Sequence, residues 1–94
     1  DFERIAAIHQ QVDVPLVMHG GSGVSDSDFR QAIAAGITKI NYFTYMSLAG
    51  GQAVKTWFEQ QPGQVLRFDE IAEIGQAAMQ ADVEQAIKVF RESR

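Results

Sequence analysis

The sequence predicts an α/β protein with parallel strands. Three observations carry that expectation. Two apolar runs, around Leu16-Val17-Met18 and from Ile37 to Phe43, read as strands. A segment of helical character, residues 25–36, lies between them. Each strand runs into a loop rich in glycine or polar residues: His19-Gly20-Gly21-Ser22-Gly23 after the first, and Asn41 to Thr44 after the second. Strand, loop, helix, strand, loop is a βαβ unit. The loops that follow its strands share one edge of the sheet, where α/β proteins bind ligands.

The first helix spans about Asp1 to Gln11, with Phe2, Ile5 and Ile8 on one face. Pro15 disfavours helix at Val14, so residues 12–15 turn the chain into a strand over Leu16–His19. After the Gly-rich loop, Ser25 is placed to cap a helix, with Asp28 three residues on. Asp26 and Asp28 suit the positive end of that helix. Phe29, Ala32 and Ile33 form its buried side, and Gly36 stops it.

On the second strand Lys39, Asn41 and Phe43 share a side by the period-two rule. A buried Lys needs a partner, so Lys39 reads as half of a buried ion pair with a carboxylate from elsewhere. Asn41, nearer the strand's C-terminal end, reads as a ligand contact. Tyr42, Phe43 and Tyr45 read as packing residues. A third helix, about Tyr45 to Gln60, turns Met46, Ala49, Ala53 and Trp57 inward. Gly50-Gly51 costs it about 1 kcal/mol per glycine against alanine, which points to close backbone approach or a break. Pro62-Gly63 is a turn. The last helix, about Asp69 to Glu92, shows an imperfect apolar face of Ile71, Ile74, Ala78, Ala81, Ile87 and Phe90.

A net charge of −4 argues against a nucleic-acid or anionic-membrane surface. No apolar stretch approaches the roughly 20 residues of a membrane helix. No signal peptide is visible, and the absence of cysteine excludes disulfides and thiolate ligands. The composition fits a cytoplasmic protein. Two strands are few for a stable parallel sheet, and the chain opens inside a helix, so we expect a part of a larger α/β chain.

The glycines of the first loop admit positive φ and close approach to backbone. Successive N–H groups in such a turn form an anion-binding concavity, and the following helix N-terminus adds to it. The loop is thus either a phosphate cradle, with Ser22 donating, or a flexible connection. It is neither the dinucleotide fingerprint nor a Walker loop. His19 stands at the same edge, either as a zinc ligand or as a hydrogen-bonded structural residue. A catalytic zinc needs about three protein ligands. The only other histidine, His9, sits on the first helix at the wrong edge.

Pro15-Leu16-Val17-Met18-His19-Gly20-Gly21-Ser22-Gly23, then Gly36-Ile37-Thr38-Lys39-Ile40-Asn41, then Thr44 resemble the class II, metal-dependent fructose- and tagatose-bisphosphate aldolases. The resemblance implies the C-terminal part of a (β/α)8 TIM barrel. The two strands would be barrel strands seven and eight, residues 1–61 the barrel segment, and residues 62–94 a helical extension that helps subunits pair in a homo-oligomer. It implies reversible cleavage of a ketose 1,6-bisphosphate to dihydroxyacetone phosphate and an aldehyde phosphate.

By the same resemblance His19 would be a Zn2+ ligand. Gly20 and Ser22 would hold the phosphate, with Gly21 and Gly23 shaping their loop, which also helps hold a monovalent cation, Na+ or K+. Asn41 would contact the ketose or its enediolate as the catalytic residue of this segment, and Thr44 would bind the phosphate. The proton-transfer group and the other zinc ligands have no match here, so the 94 residues alone are expected to be inactive. Many fructose-bisphosphate aldolases carry an acidic residue two positions after the Asn, and tagatose-type relatives a small one. Phe43 fits neither. A metal-free phosphate-binding barrel enzyme and a self-associating, non-catalytic module are the competing readings.

Overall fold

The computed structural model describes residues 1–21 and 23–92. Ser22, one of the expected phosphate ligands, lies outside the described residues. The elements follow the order α1 (Phe2–Gln11), β1 (Leu16–Met18), α2 (Asp26–Ala35), β2 (Ile37–Ile40), α3 (Thr44–Glu59) and α4 (Phe68–Arg91). The chain divides into two compact units. One comprises residues 1–42 with the chain from Ala86 onward, and the other Phe43–Gln85. Among the described residues, no helix is long and apolar enough to cross a membrane.

In the first unit β1 and β2 pair in parallel, and α2 makes the crossover between them, as the βαβ reading requires. Local chemistry sets the helix ends. Asp1 caps α1, its carboxylate accepting from the Arg4 N–H at 3.0 Å. Ser25 caps α2, its Oγ accepting from the Asp28 N–H at 3.1 Å. Gly36 closes α2 at φ +129, donating its N–H to the Ala32 and Ile33 carbonyls. A side chain at Gly36 would also collide with His9, whose Cγ lies 2.5 Å from an ideal Cβ.

The core of this unit is Phe29, Ala32, Ile37 and Val89. Phe29 meets Phe90 edge-on at a centroid distance of 5.2 Å, and Tyr42 meets the same ring at 6.1 Å. Such pairs add about 0.5–1.5 kcal/mol each beyond their buried area. Arg30 and Glu92 pair at 3.1 Å on the exposed rim.

Three expectations are corrected here. Ile8 of α1 is exposed, and only Phe2, Ile5 and Ala6 are half-buried, because α1 meets α2 along a narrow seam. On α4 the buried residue is Val89, whereas Ala81 and Ile87 face solvent. β2 ends at Ile40 rather than Phe43, because its partner β1 ends at Met18. The sheet face bearing Val17 and Lys39 is open to solvent.

In the second unit α3 runs unbroken through Gly50-Gly51. Of the two readings of these glycines, close approach is the one realised, and it belongs to Gly50 alone. A Cβ there would stand 2.8 Å from Met79 Cγ and 3.3 Å from the Gly75 carbonyl oxygen, while one at Gly51 would meet open space. Val54 lies against Gly75 in turn. The contact order makes α3 and the facing part of α4 an antiparallel pair meeting at small residues. Met46, Ala49, Ala53 and Trp57 are all half-buried, as the spacing predicts.

Candidate functional site at the strand ends

One residue of slippage sets the geometry at the C-terminal edge of the sheet. Leu16 pairs with Ile37, yet Val17 pairs with Lys39 and Met18 with Ile40. Thr38 is the extra residue, a bulge in β2. Unbroken pairing from Leu16 would set Ile40 beside His19. The slip sets Asn41 there instead. The Asn41 N–H continues the ladder by donating to the Met18 carbonyl at 3.0 Å. Its side-chain Nδ2 then lies 2.8 Å from His19 Nδ1. Both side chains are exposed. The two residues singled out from separate strand ends thus form one hydrogen-bonded pair.

The Gly-rich loop begins beside this pair. Gly20 and Gly23 hold φ of +66 and +84, backbone conformations that disfavour any other residue. Gly21 is buried. An ideal Cβ on it would stand 3.2 Å from Phe29 Cζ and 3.8 Å from the Asn41 carbonyl oxygen. Phe29 is itself only 3% exposed, so its ring cannot easily give way. The Val24 N–H closes the turn onto the Gly21 carbonyl at 3.3 Å. Among the described residues, the N–H groups of Gly20 and Gly21 donate to no protein acceptor.

Phe29 is the residue that sequence reasoning placed in the core without seeing its second role as the platform under the loop. Its position four residues after the Ser25 cap was the available signal, since that spacing returns the side chain beneath the helix start. At the start of α2 the chain's own groups act on the helix end. Ser25 already satisfies the Asp28 N–H, and Asp26 and Asp28 oppose a second negative charge there.

The remaining candidates take no part in the His19–Asn41 hydrogen bond. His9 packs against Gly36, at the start of β2 and away from the strand ends, as expected. Lys39 is exposed, and among the described residues no carboxylate pairs with it. Phe43 is 68% exposed rather than packed. Thr44 opens α3 in the second unit, after a residue that offers no side-chain cap. A hollow of about 440 Å³ beside β2, lined by Ile33, Ile37, Ile40, Ile87 and Phe90 among others, includes neither His19 nor Asn41.

Among the described residues, no group of three or more His, Asp or Glu side chains is placed to hold a metal. His19 suits a single ligand. Its ring is exposed, one nitrogen is occupied by Asn41, and the other makes no hydrogen bond among the described residues.

Over residues 1–94 the sequence matches the profile of the family described as fructose-bisphosphate aldolase class-II. Among solved structures, the crystal structure of the YdjI aldolase from Escherichia coli K12 is similar over 96% of this chain, with a TM-score of 0.81 and 37% sequence identity. The chain spans 33% of the length of that protein.

Proposed function

Since the chain belongs to the class II fructose-bisphosphate aldolase family, we propose that it supplies one wall of a metal-dependent ketose-bisphosphate aldolase site. The observation that carries this reading is the His19–Asn41 pair at 2.8 Å, beside a glycine loop with positive φ, at the shared end of two parallel strands. In this reading the chain forms the last two strands of a (β/α)8 barrel, and the ligands missing here come from earlier strands.

His19 holds the metal through one ring nitrogen. A bound Zn2+ supplies Lewis-acid polarisation of the ketose carbonyl and stabilises the negative charge left by C–C cleavage. Asn41 orients the ketose by a hydrogen bond from its amide. The Gly20 and Gly21 N–H groups receive the phosphate of the dihydroxyacetone phosphate half, assisted by Ser22 and held in shape by Gly23. The same loop would also help hold a monovalent cation, Na+ or K+. Thr44 donates to the phosphate; this role is carried from the motif alone. Binding energy at the phosphate is remote from the reacting bond, so it serves to place the carbonyl against the metal.

The test is a coupled aldol-cleavage assay on the complete barrel protein that carries this chain. Fructose and tagatose 1,6-bisphosphate are compared with and without a chelator. Cleavage of either that is lost on chelation and restored by zinc supports the reading and names the sugar. No cleavage of either with zinc supplied overturns it for these sugars and turns attention to exposed Phe43, two positions after Asn41 in the sequence.

A further inference from the structure

We propose that Phe90, in the last turn of α4, is a positioning residue for the bound phosphate, acting through Phe29 on the glycine loop. The inference rests on the reading above that this loop receives a phosphate, and it gives the end of α4 a task at the site.

A chain of contacts joins the helix end to the loop. Gly21 is buried, and an ideal Cβ on it would stand 3.2 Å from Phe29 Cζ and 3.3 Å from Cε1, so the loop backbone rests on this ring. Phe90 meets Phe29 edge-on, with ring centroids 5.2 Å apart and planes at 65°. Tyr42, the residue after Asn41, meets Phe90 at 6.1 Å and 83°, which braces the ring from the end of β2. The helix end is held in place by more than these rings. Val89 is buried, and Arg30 of α2 pairs with Glu92 at 3.1 Å. The chain from Ala86 onward accordingly belongs to the compact unit that holds His19 and Asn41.

A cradle of backbone N–H groups binds an anion well only if those groups are aimed before it arrives. Glycines oppose such aim, because each leaves its backbone many conformations. The Val24 N–H closes the turn onto the Gly21 carbonyl at 3.3 Å, a long bond, so support from below matters to the loop. Phe29 gives that support while its ring keeps one tilt. Edge-on packing sets a ring's positive edge against its neighbour's negative face, and Phe90 thereby fixes the tilt of Phe29. Without the Phe90 ring, Phe29 can turn, Gly21 can sink, and the loop must be ordered at the moment of binding.

The experiment titrates the complete barrel protein with inorganic phosphate and follows the Gly20 and Gly21 amide signals in nitrogen-15 spectra. Phe90→Leu keeps apolar volume but loses the ring. It is expected to weaken phosphate binding at the loop about three- to tenfold, the measure of one aromatic pair. Phe90→Tyr keeps the ring and is expected to bind as wild type does. Val89→Ala truncates the buried neighbour and is expected to lower the melting temperature with phosphate affinity unchanged. Phe29→Leu is expected to weaken binding as well, and adding Phe90→Leu to it should weaken binding no further, because one acts through the other.

Equal phosphate affinity of Phe90→Leu and wild type overturns the inference and leaves the loop reading standing. So does a Phe90→Tyr variant as weak as Phe90→Leu, or a fully additive double variant. Equal weakening by Val89→Ala assigns the effect to general loss of packing and also overturns it. If phosphate leaves the Gly20 and Gly21 signals of wild type unmoved, the phosphate reading of the loop falls, and this inference with it.

Discussion

Gly21 joins the loop to the core, and a single methyl group tests that junction. An ideal Cβ stands 3.2 Å from Phe29 Cζ, and the Phe29 ring is held edge-on by Phe90. Gly21→Ala should force loop and ring apart at a cost of about 1–3 kcal/mol. Thermal unfolding reads the loss, and, on the aldolase reading proposed above, a raised KM for the bisphosphate reads the displaced loop. An unchanged KM would separate Gly21 from phosphate binding. Gly36 poses a different problem, since its φ of +129 and the nearby His9 ring both oppose a side chain. The backbone strain of Gly36→Ala is on the order of 1–3 kcal/mol, with the collision added. His9→Ala in the same molecule should restore only the part due to collision. Chemical denaturation of the two single variants and the double variant measures the split; full rescue would mean that the φ value costs nothing.

At the scale of elements, the caps and the helix–helix contact make separable predictions. Ser25→Ala removes the acceptor for the Asp28 N–H and should cost about 1 kcal/mol of stability. Thermal melts check it, and Ser25→Asp should recover most of the loss. Along α3, neighbouring glycines should respond with opposite signs. Gly51→Ala enters open space and should gain up to about 1 kcal/mol in helix propensity. Gly50→Ala meets Met79 and the Gly75 carbonyl and should lose stability. The Met79 side chain can move, but the Gly75 carbonyl belongs to a helix backbone and cannot. Equal responses at the two positions would contradict the close approach of α3 and α4.

The same elements show how far local pattern carried. The α2 helix was legible from end to end, because Ser25, Asp28 and Gly36 act on groups within a few residues of themselves. The end of β2 was not. Its residues stay apolar or aromatic through Phe43, but a strand lasts only as long as its partner, and β1 stops at Met18. On α4 the spacing favoured Ile87 over Val89. A long amphipathic helix offers several faces, and the surface it meets selects one. Here Val89 is the residue buried, and its neighbour Phe90 meets Phe29.

For the molecule as a whole, the chain by itself is expected to show no aldol cleavage, since one imidazole does not hold a catalytic zinc. It is also expected to self-associate. The two-stranded sheet offers open edges and an open face, and Val17, Leu48, Val65 and Phe68 are exposed. Size-exclusion chromatography over a range of concentrations checks this. A compact monomer at every concentration would show that these residues suffice as a domain.

Residue order alone was enough for the βαβ sequence of elements, the glycine loop after β1, and His19 and Asn41 as the side chains to watch. Those features rest on caps, turns and spacings that act over a few residues. The motif around them was also enough to identify the family. Pairing of the strands added what no local rule contains. A one-residue slip at Thr38 sets Asn41 rather than Ile40 beside His19, and packing of Phe90 on Phe29 stiffens the floor under Gly21. Register and packing are relations between residues distant in the chain, and their energies exist only once those residues meet.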